Sequence, residues 1–426
     1  MKMGLAKLAL ASGTIVSPGM AFAQAIGASS SIVIDPELAR NDVAGARIDP
    51  AFQRDPIRVG PLFAQAGFSV VGGYESNVFN RPQAESDAVV SLAPRLTLQA
   101  DLPRHDLSFA AVGRLRRFAR QQSENSEEFG LNGKGQLDLA EQQAMLASID
   151  YSHEIEPRSS VGSVADAAEP ASFRRFASEF GARLQFGALR LVPQVGFRRA
   201  DYVPLELAQG GAVNQSFRNT RTFHGELSIE YDFTGFVSGF ASGSVSDVDS
   251  PDAPAERRRD SRSYSVSVGL RGDLSPLIFG EIGVGYQARH YKLPRYRDFE
   301  GATFRADVQW YLTPLVTLRL QAARAFENSG NPLVAGILSD KATISAYYDP
   351  LRNLRISLSG SCDVNKYREV STRAFRASVR LQAQYLVNRS LSIGAYTSFL
   401  RQNVRGQPIV NEFTSFGAGI GMTLAL

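Results

Sequence analysis

One cysteine, Cys362, is all that the 426 residues contain, so neither an intrachain disulfide nor a multi-cysteine zinc site can form. Histidine is almost as scarce: His105, His153, His224 and His290 lie far apart, at no spacing that a metal ion uses. Excess charge is missing too. Against 46 Lys and Arg stand 42 Asp and Glu, and a net charge of +4 makes no case for nucleic acid as a partner. Beyond the N-terminal segment no stretch offers the ~18 uninterrupted apolar residues of a membrane helix, which excludes a helical membrane protein but not a membrane β-barrel. Low-complexity disorder is excluded from the other side, because 44% hydrophobic and 10% aromatic residues supply ample surface to bury.

The N-terminus predicts a compartment. Lys2 and Lys7 precede a mostly apolar run from Leu8 to Met20, and Ala21-Phe22-Ala23 follows as a small-residue cleavage site. This is the pattern of a secretory signal peptide over residues 1–23. The competing reading, a buried N-terminal helix, would have to accommodate Pro18 and Gly19. No cysteine follows the site, so a lipid anchor is not expected, and the lone thiol suits an exported protein. Residues 24–60 carry Ile34-Asp35-Pro36, Ile48-Asp49-Pro50 and Asp55-Pro56 without sustained periodicity, which predicts an irregular periplasmic leader.

From about residue 61 to the end, segments of ten to fifteen residues alternate apolar with polar or small side chains. Phe375, Ala377, Val379, Leu381, Ala383 and Tyr385 alternate with Arg376, Ser378, Arg380, Gln382 and Gln384. Only a strand puts these two sets on opposite faces. Leu354 to Val364, Phe304 to Leu312, Tyr264 to Leu270 and Phe223 to Tyr231 split in the same way. The polar face carries charge along its whole length, which the core of a soluble sandwich would not tolerate.

Connections alternate in length. Short turns are expected at 102–105, 186–188, 232–235, 273–276, 312–314, 349–351 and 387–389, with long polar loops at 76–86, 120–126, 155–170, 201–218, 248–260, 292–300, 327–337, 367–372 and 403–411. That pattern predicts an all-β, up-and-down antiparallel transmembrane barrel over residues 61–426, of about eighteen strands with sixteen as the alternative. Short turns would face the periplasm and long loops the exterior. A propeller needs four short strands per repeat where this chain has two long ones. Phe186, Tyr231, Phe236, Tyr311, Tyr348 and Tyr385 lie beside the short turns and are expected to form an aromatic girdle there. The final segment alternates Phe416, Ala418, Ile420, Met422, Leu424 and Leu426 with Gly417, Gly419, Gly421 and Thr423. It is similar to the insertion signal of outer-membrane proteins, with Leu426 where an aromatic is usual.

The stretch Phe68-Ser-Val-Val-Gly-Gly-Tyr-Glu-Ser-Asn-Val-Phe79, followed by Ser91-Leu-Ala-Pro-Arg-Leu-Thr-Leu98, resembles the opening hairpin of the putative beta-barrel porin family. The matching residues are Gly73, Tyr74, Glu75, Asn77, Val78 and Pro94, and units such as Tyr311-Leu-Thr-Pro-Leu-Val-Thr-Leu318 extend the resemblance over most of 61–426. The resemblance implies an outer-membrane barrel of Gram-negative bacteria, often associated with exopolysaccharide or capsule secretion. Partners would be outer-membrane lipid and lipopolysaccharide, the barrel assembly machinery and a polysaccharide export complex.

Candidate chemistry sits on the inward faces. Parity places Arg183, Arg271, Arg305, Arg319, Arg355, Arg376 and Arg380 toward the lumen, against Glu179, Glu226, Glu230, Asp307 and Asp363. Two readings follow. One is a structural ladder of paired charges; the other is a mildly basic channel that favours anionic solutes, acidic polysaccharide among them. A third possibility, an outer-membrane hydrolase using His153 or His290, has no Ser, Asp or second His that the sequence places as a catalytic partner to either. The Gly-x-Gly runs at 281–285 and 417–421 open no helix and bind no phosphate. Glu256-Arg257-Arg258-Arg259-Asp260 reads as a solvated external loop, or as a bridge to lipopolysaccharide phosphates. No catalytic residue, metal or cofactor is expected. The expected function is passage or export of an anionic polysaccharide, with a non-conducting scaffold or adhesion barrel that docks an export complex as the alternative.

Overall fold

A computed structural model describes residues 44–45, 49–160, 162–164, 167–329, 331 and 334–426. The expected signal peptide and most of the expected leader lie outside them. Strands, in chain order, are β1 (Ile57–Val59), β2 (Leu62–Glu75), β3 (Asp87–Ala100), β4 (Asp106–Phe118), β5 (Ser126–Ala140), β6 (Gln143–Ile155), β7 (Ser172–Phe186) and β8 (Leu189–Tyr202). The short β9 (Leu205–Glu206) and β10 (Ala212–Val213) form a small hairpin in a loop. Then come β11 (Thr220–Asp232), β12 (Val237–Asp249), β13 (Ser261–Ser275), β14 (Ile278–Tyr291), β15 (Phe299–Thr313) and β16 (Val316–Asn328). The last are β17 (Gly336–Leu351), β18 (Leu354–Tyr367), β19 (Thr372–Leu386), β20 (Leu391–Gly406) and β21 (Phe413–Ala425).

Eighteen of these, β2–β8 and β11–β21, pair antiparallel with their sequence neighbours, and β21 returns to β2 to close the barrel. Closure leaves no free edge, so the wall's backbone donors find partners strand to strand rather than in water. β1 folds back on the start of β2, with Ile57 opposite Ala64, below the point where β21 takes over that edge.

Alternation decides which face goes where. Along β19, Phe375, Val379, Leu381 and Tyr385 are exposed on the outside, while Thr372, Ala374, Gln382 and Gln384 are buried. The outside is apolar around the circumference: Val266 is 61% exposed, Val284 59%, Ile344 60% and Ile420 68%. No soluble monomer presents so continuous an apolar belt, and hydrocarbon is the solvent that fits it. Among the described residues no helix is long and apolar enough to cross a membrane.

The short connections are tighter than the sequence suggests. Ser275, Thr313 and Leu351 belong to strands, and the turns between them are Pro276-Leu277, Pro314-Leu315 and Arg352-Asn353. The pairing slips at Asp273/Ser275, Tyr311/Thr313 and Tyr348/Leu351. A bulge at the strand's end absorbs one or two residues that look like turn, and it lets Pro350 sit where no ladder donor is needed. A fourth such slip, at Asp138/Ala140, precedes the turn Glu141-Gln142, which sequence reading missed because it holds neither Gly nor Pro.

The expected aromatic girdle needs one correction. Phe186, Tyr231, Tyr348 and Tyr385 are exposed on the outer face near the short turns and Phe236 is exposed within one, but Tyr311 is only 5% exposed and faces the lumen. Strand parity gives the reason: Trp310, one residue earlier, takes the outward place.

Long loops fold over the opposite end. Arg158 ion-pairs with Glu124 at 2.5 Å and donates to the Ala167 carbonyl. Arg218 holds Glu156 at 2.8 Å and lies 3.9 Å above the Tyr202 ring. Val334, Ile337, Tyr367, Ala374 and Val410 make a small buried core between three loops. In the 256–260 run, Arg259 is buried; it donates to the Ser329 and Asn331 carbonyls and stacks over Phe217. Asp260 accepts the Ser250 amide. Only Arg257 and Arg258 remain exposed for a ligand outside. Asp298, in the loop after β14, accepts from His290 Nδ1 and the Tyr291 amide, which hold its carboxyl below the usual range.

A candidate channel lumen

The inward charges divide into two walls. Along β8 and β11–β16 they form a chain of ion pairs from Arg190 to Arg305 and, beside it, a separate pair. Arg190 reaches Glu230 at 3.4 Å, and Arg271 touches both Glu230 at 3.5 Å and Glu281 at 2.5 Å. Glu281 also holds Arg305 at 2.5 Å, and Arg319 grips Asp307 with both prongs, at 2.7 and 2.5 Å. The register explains part of this: Arg271 lies directly opposite Glu281, whereas the carboxylates Glu281 and Asp307, which also face each other, are each taken by an arginine. Cross-strand pairs are the unit of sheet stabilisation, so this wall is held by its own charges.

Phe240, inward on β12 and 6% exposed, sits beneath that chain. The guanidinium carbons of Arg271 and Arg305 lie 5.6 and 5.8 Å from its ring centre. The ring has room because Gly269 faces it; a Cβ there would come within 2.5 Å of Phe240 Cζ. Gly419 of the 417–421 run does the same for Tyr396, since a Cβ on it would lie 2.6 Å from Tyr396 Cε1. These glycines make space for inward rings.

On the rest of the wall the ion pairs keep to the long-loop end, Arg114 with Glu128 at 2.8 Å, Arg116 with Glu75 at 2.5 Å and Arg175 with Glu154 at 3.0 Å, and four cations nearer the short turns stand apart from them. Arg95 on β3, Lys134 on β5 and Arg183 on β7 form no hydrogen bond or ion pair among the described residues. Arg380 on β19 lies 4.2 Å above the Tyr396 ring, and its Nη2 is buried with no hydrogen-bond partner. All four point inward, in the half of their strands nearer the short turns. The same side also holds carboxylates: Asp106 is exposed, and Asp150 accepts from Asn132 Nδ2 at 2.6 Å.

The remaining expected residues sit as follows. Glu226 lies in register between Gln194 and Ser244, and Asp363 between Lys341 and Arg376. Arg355 is opposite Gln384. Glu179 is buried, 3.7 Å from Arg198 and 3.5 Å from His224 Nε2. Arg376 donates to Gln402 Oε1 at 2.9 Å and to the Ser159 carbonyl. That last bond crosses the barrel: Ser159 belongs to the loop between β6 and β7, so this loop dips into the mouth and is held there by the far wall.

Sequence reasoning missed Arg95, Lys134, Arg190, Arg198 and Glu281. Arg95 was legible, since Leu92, Pro94, Leu96 and Leu98 flank it at alternate positions. Lys134 was not, because Asn132-Gly133-Lys134-Gly135-Gln136 shows no apolar face from which to count. The histidines weighed for hydrolysis face outward: His153 stacks 6.0 Å from Phe129, and His290 bonds Asp298 at 2.9 Å. Among the described residues no cluster of His, Cys, Asp and Glu could hold a metal.

No curated protein matches the chain. Solved structures similar to it include the outer membrane protein OpdK of Pseudomonas aeruginosa, at 10% identity, 85% of this chain, 99% of that one and a TM-score of 0.46. The copper transporter OprC is similar at 10% identity over 88% of this chain and 82% of that one, with a TM-score of 0.49. A mutant of the ferric enterobactin receptor PfeA of Pseudomonas aeruginosa follows at 8%, 85%, 80% and 0.45. The family model described as Putative beta-barrel porin 2 matches residues 49–424. This chain, a porin-like outer-membrane β-barrel, belongs to that family.

Proposed function

We propose that the barrel is a channel for an anionic solute, and that its cargo is a stretch of acidic polysaccharide. One observation carries the reading: among the described residues, Arg95, Lys134, Arg183 and Arg380 line the lumen without a carboxylate bound to them. A purely structural charge ladder would pair them, as it pairs Arg271 and Arg319. Unpaired cations on low-dielectric walls focus a field that draws anions. Inward hydroxyls, such as Ser242 with Ser267 and Ser244 with Ser265 at 2.7 Å, offer the exchangeable hydrogen bonds that sugar hydroxyls use. The polymer itself rests on the family resemblance.

In this reading the short turns face the periplasm, the long loops lie outside, and the loop held by Arg376 sets the bore of the outer mouth. Conductance tests it. Purified protein in planar bilayers should form stable channels whose reversal potential in a KCl gradient shows anion preference. A barrel that stays closed would favour the scaffold alternative. Orientation has its own test, in a Cys362→Ser background. Arg257→Cys, on an exposed loop, should react with an impermeant maleimide in intact cells, and Thr234→Cys, in a short turn, should not. Equal labelling would reverse or void the orientation.

A further inference from the structure

On the outer face at the long-loop end, most cations meet a carboxylate on their own or a neighbouring strand. Arg117 pairs with Glu127, Arg262 with Asp247 at 2.6 Å, Lys292 with Asp249 at 3.2 Å, and Arg199 with Asp201 at 2.8 Å. Arg221 lies opposite Arg199 on one side but has Asp249 opposite it on the other; one sector departs further. Lys366 on β18 lies directly opposite Arg373 on β19, and Arg373 lies directly opposite Arg405 on β20. All three occupy outward positions, in phase with Val364, Phe375 and Phe399 of the apolar belt just below. Arg401, also outward, stands two outward positions below Arg405 and bonds only Asn403.

Two carboxylates lie near this row: Glu412, whose Oε1 accepts the Val404 amide at 2.8 Å, and Asp340. Asp340 is already taken by Arg324, at 2.5 and 3.1 Å, and reaches Lys366 only at 3.9 Å. Arg373 and Arg405 have no hydrogen-bond or ion-pair partner among the described residues. Like charges directly opposite one another destabilise a sheet pair. Three in a row across adjacent strands, about 5 Å apart, cost stability unless an anion lies among them.

We propose that Lys366, Arg373 and Arg405, with Arg401 beneath, form a binding site for the phosphates of lipopolysaccharide in the outer leaflet. The place selects that ligand. The row marks the boundary between the apolar belt and the loops, where a lipid's phosphates lie while its acyl chains run down over Phe375, Val379 and Phe399. Guanidinium forks suit phosphate oxygens, and three cations spread over ~10 Å match a head group with more than one phosphate. A soluble polyanion would gain nothing from the apolar surface below. The inference rests on the orientation proposed above but not on conduction, so the maleimide test separates a failure of orientation from a failure of the site.

The test uses the full chain, extracted from outer membranes in mild detergent, with bound lipopolysaccharide measured by native mass spectrometry. Wild type should retain it, and Lys366→Gln/Arg373→Gln/Arg405→Gln should retain at least fivefold less. Lys366→Arg/Arg373→Lys/Arg405→Lys keeps the charge and should restore retention, which a merely structural role would not predict of both exchanges together. Arg117→Gln, outward but outside the row, should leave retention unchanged. If the neutral triple variant does not fold, Arg405→Gln alone is compared, with a twofold or larger loss expected. Delipidated wild type should rebind lipopolysaccharide but not its dephosphorylated form. Equal retention by the neutral variants, equal binding of dephosphorylated lipid, or displacement by millimolar inorganic phosphate alone would each overturn the proposal.

Discussion

The wall made by β8 and β11–β16 and the wall that carries Arg95, Lys134, Arg183 and Arg380 share one outer surface and differ inside. On the first, Glu230, Glu281 and Asp307 each bind at least one arginine, so the lumen charge holds strand to strand. On the second, ion pairs such as Arg114 with Glu128 and Arg175 with Glu154 keep to the long-loop end, and nearer the short turns those four cations face the bore with no carboxylate bound to them among the described residues, Arg380 leaning on an aromatic ring instead. Paired charge stabilises a wall; unpaired charge costs stability and projects a field. The difference identifies which inward residues a fold requires and which a channel would use.

Outward substitutions should not tell the walls apart, and they carry the largest effect. Val268 on the paired wall and Val379 on the other each sit at the middle of their strand and are 56% and 49% exposed on the outer face. Arginine at either should destabilise the folded barrel by ~2–4 kcal/mol. The loss should appear as reduced heat-resistant protein in outer-membrane fractions. Silence at both positions would remove the lipid-facing assignment; silence at one would show that the belt is not continuous.

An inward change on the paired wall comes next. Glu281→Gln strips the carboxylate shared by Arg271 and Arg305 and should cost about 1–2 kcal/mol, the part-exposed Arg305 being screened by water in the bore. It should also raise anion preference, because Arg305 is released into the lumen while Arg271 keeps only Glu230. Urea unfolding of the reconstituted barrel reads the first effect and reversal potential the second. A change in stability without one in selectivity would mean that these arginines do not reach the ion path.

How much of this was visible in the sequence depends on what each feature rests on. Strand number, barrel class and facing followed from alternation, a property of neighbouring residues; Val379 and Arg380 cannot exchange faces without moving a whole strand. The pairing of Glu281 with Arg271 and Arg305 depends on register between strands, and the bulges at Asp273/Ser275 and Tyr311/Thr313 shift that register by amounts no turn motif announces. Tyr311 was misplaced by proximity to a turn although its own parity pointed inward. Arg376 was placed in the lumen, but its bond to Ser159 joins residues 217 apart and could not be read from either.

The smallest effect on stability should come from the second wall's unpaired cations, and there it is most informative. Arg380→Ser removes a cation that holds no carboxylate, so stability should change by no more than ~0.5 kcal/mol beyond the lost contact with Tyr396. Arg95→Gln and Lys134→Gln should be as mild. Selectivity should move instead, each variant shifting the reversal potential toward cations, with the shifts adding because the three residues lie on separate strands and share no partner. Arg319→Gln on the paired wall supplies the contrast: it also shifts selectivity toward cations by exposing Asp307, but it lowers the unfolding midpoint as well. If Arg380→Ser unfolds the barrel while Arg319→Gln does not, the roles of the two walls are reversed and the field that draws anions must be sought elsewhere in the lumen.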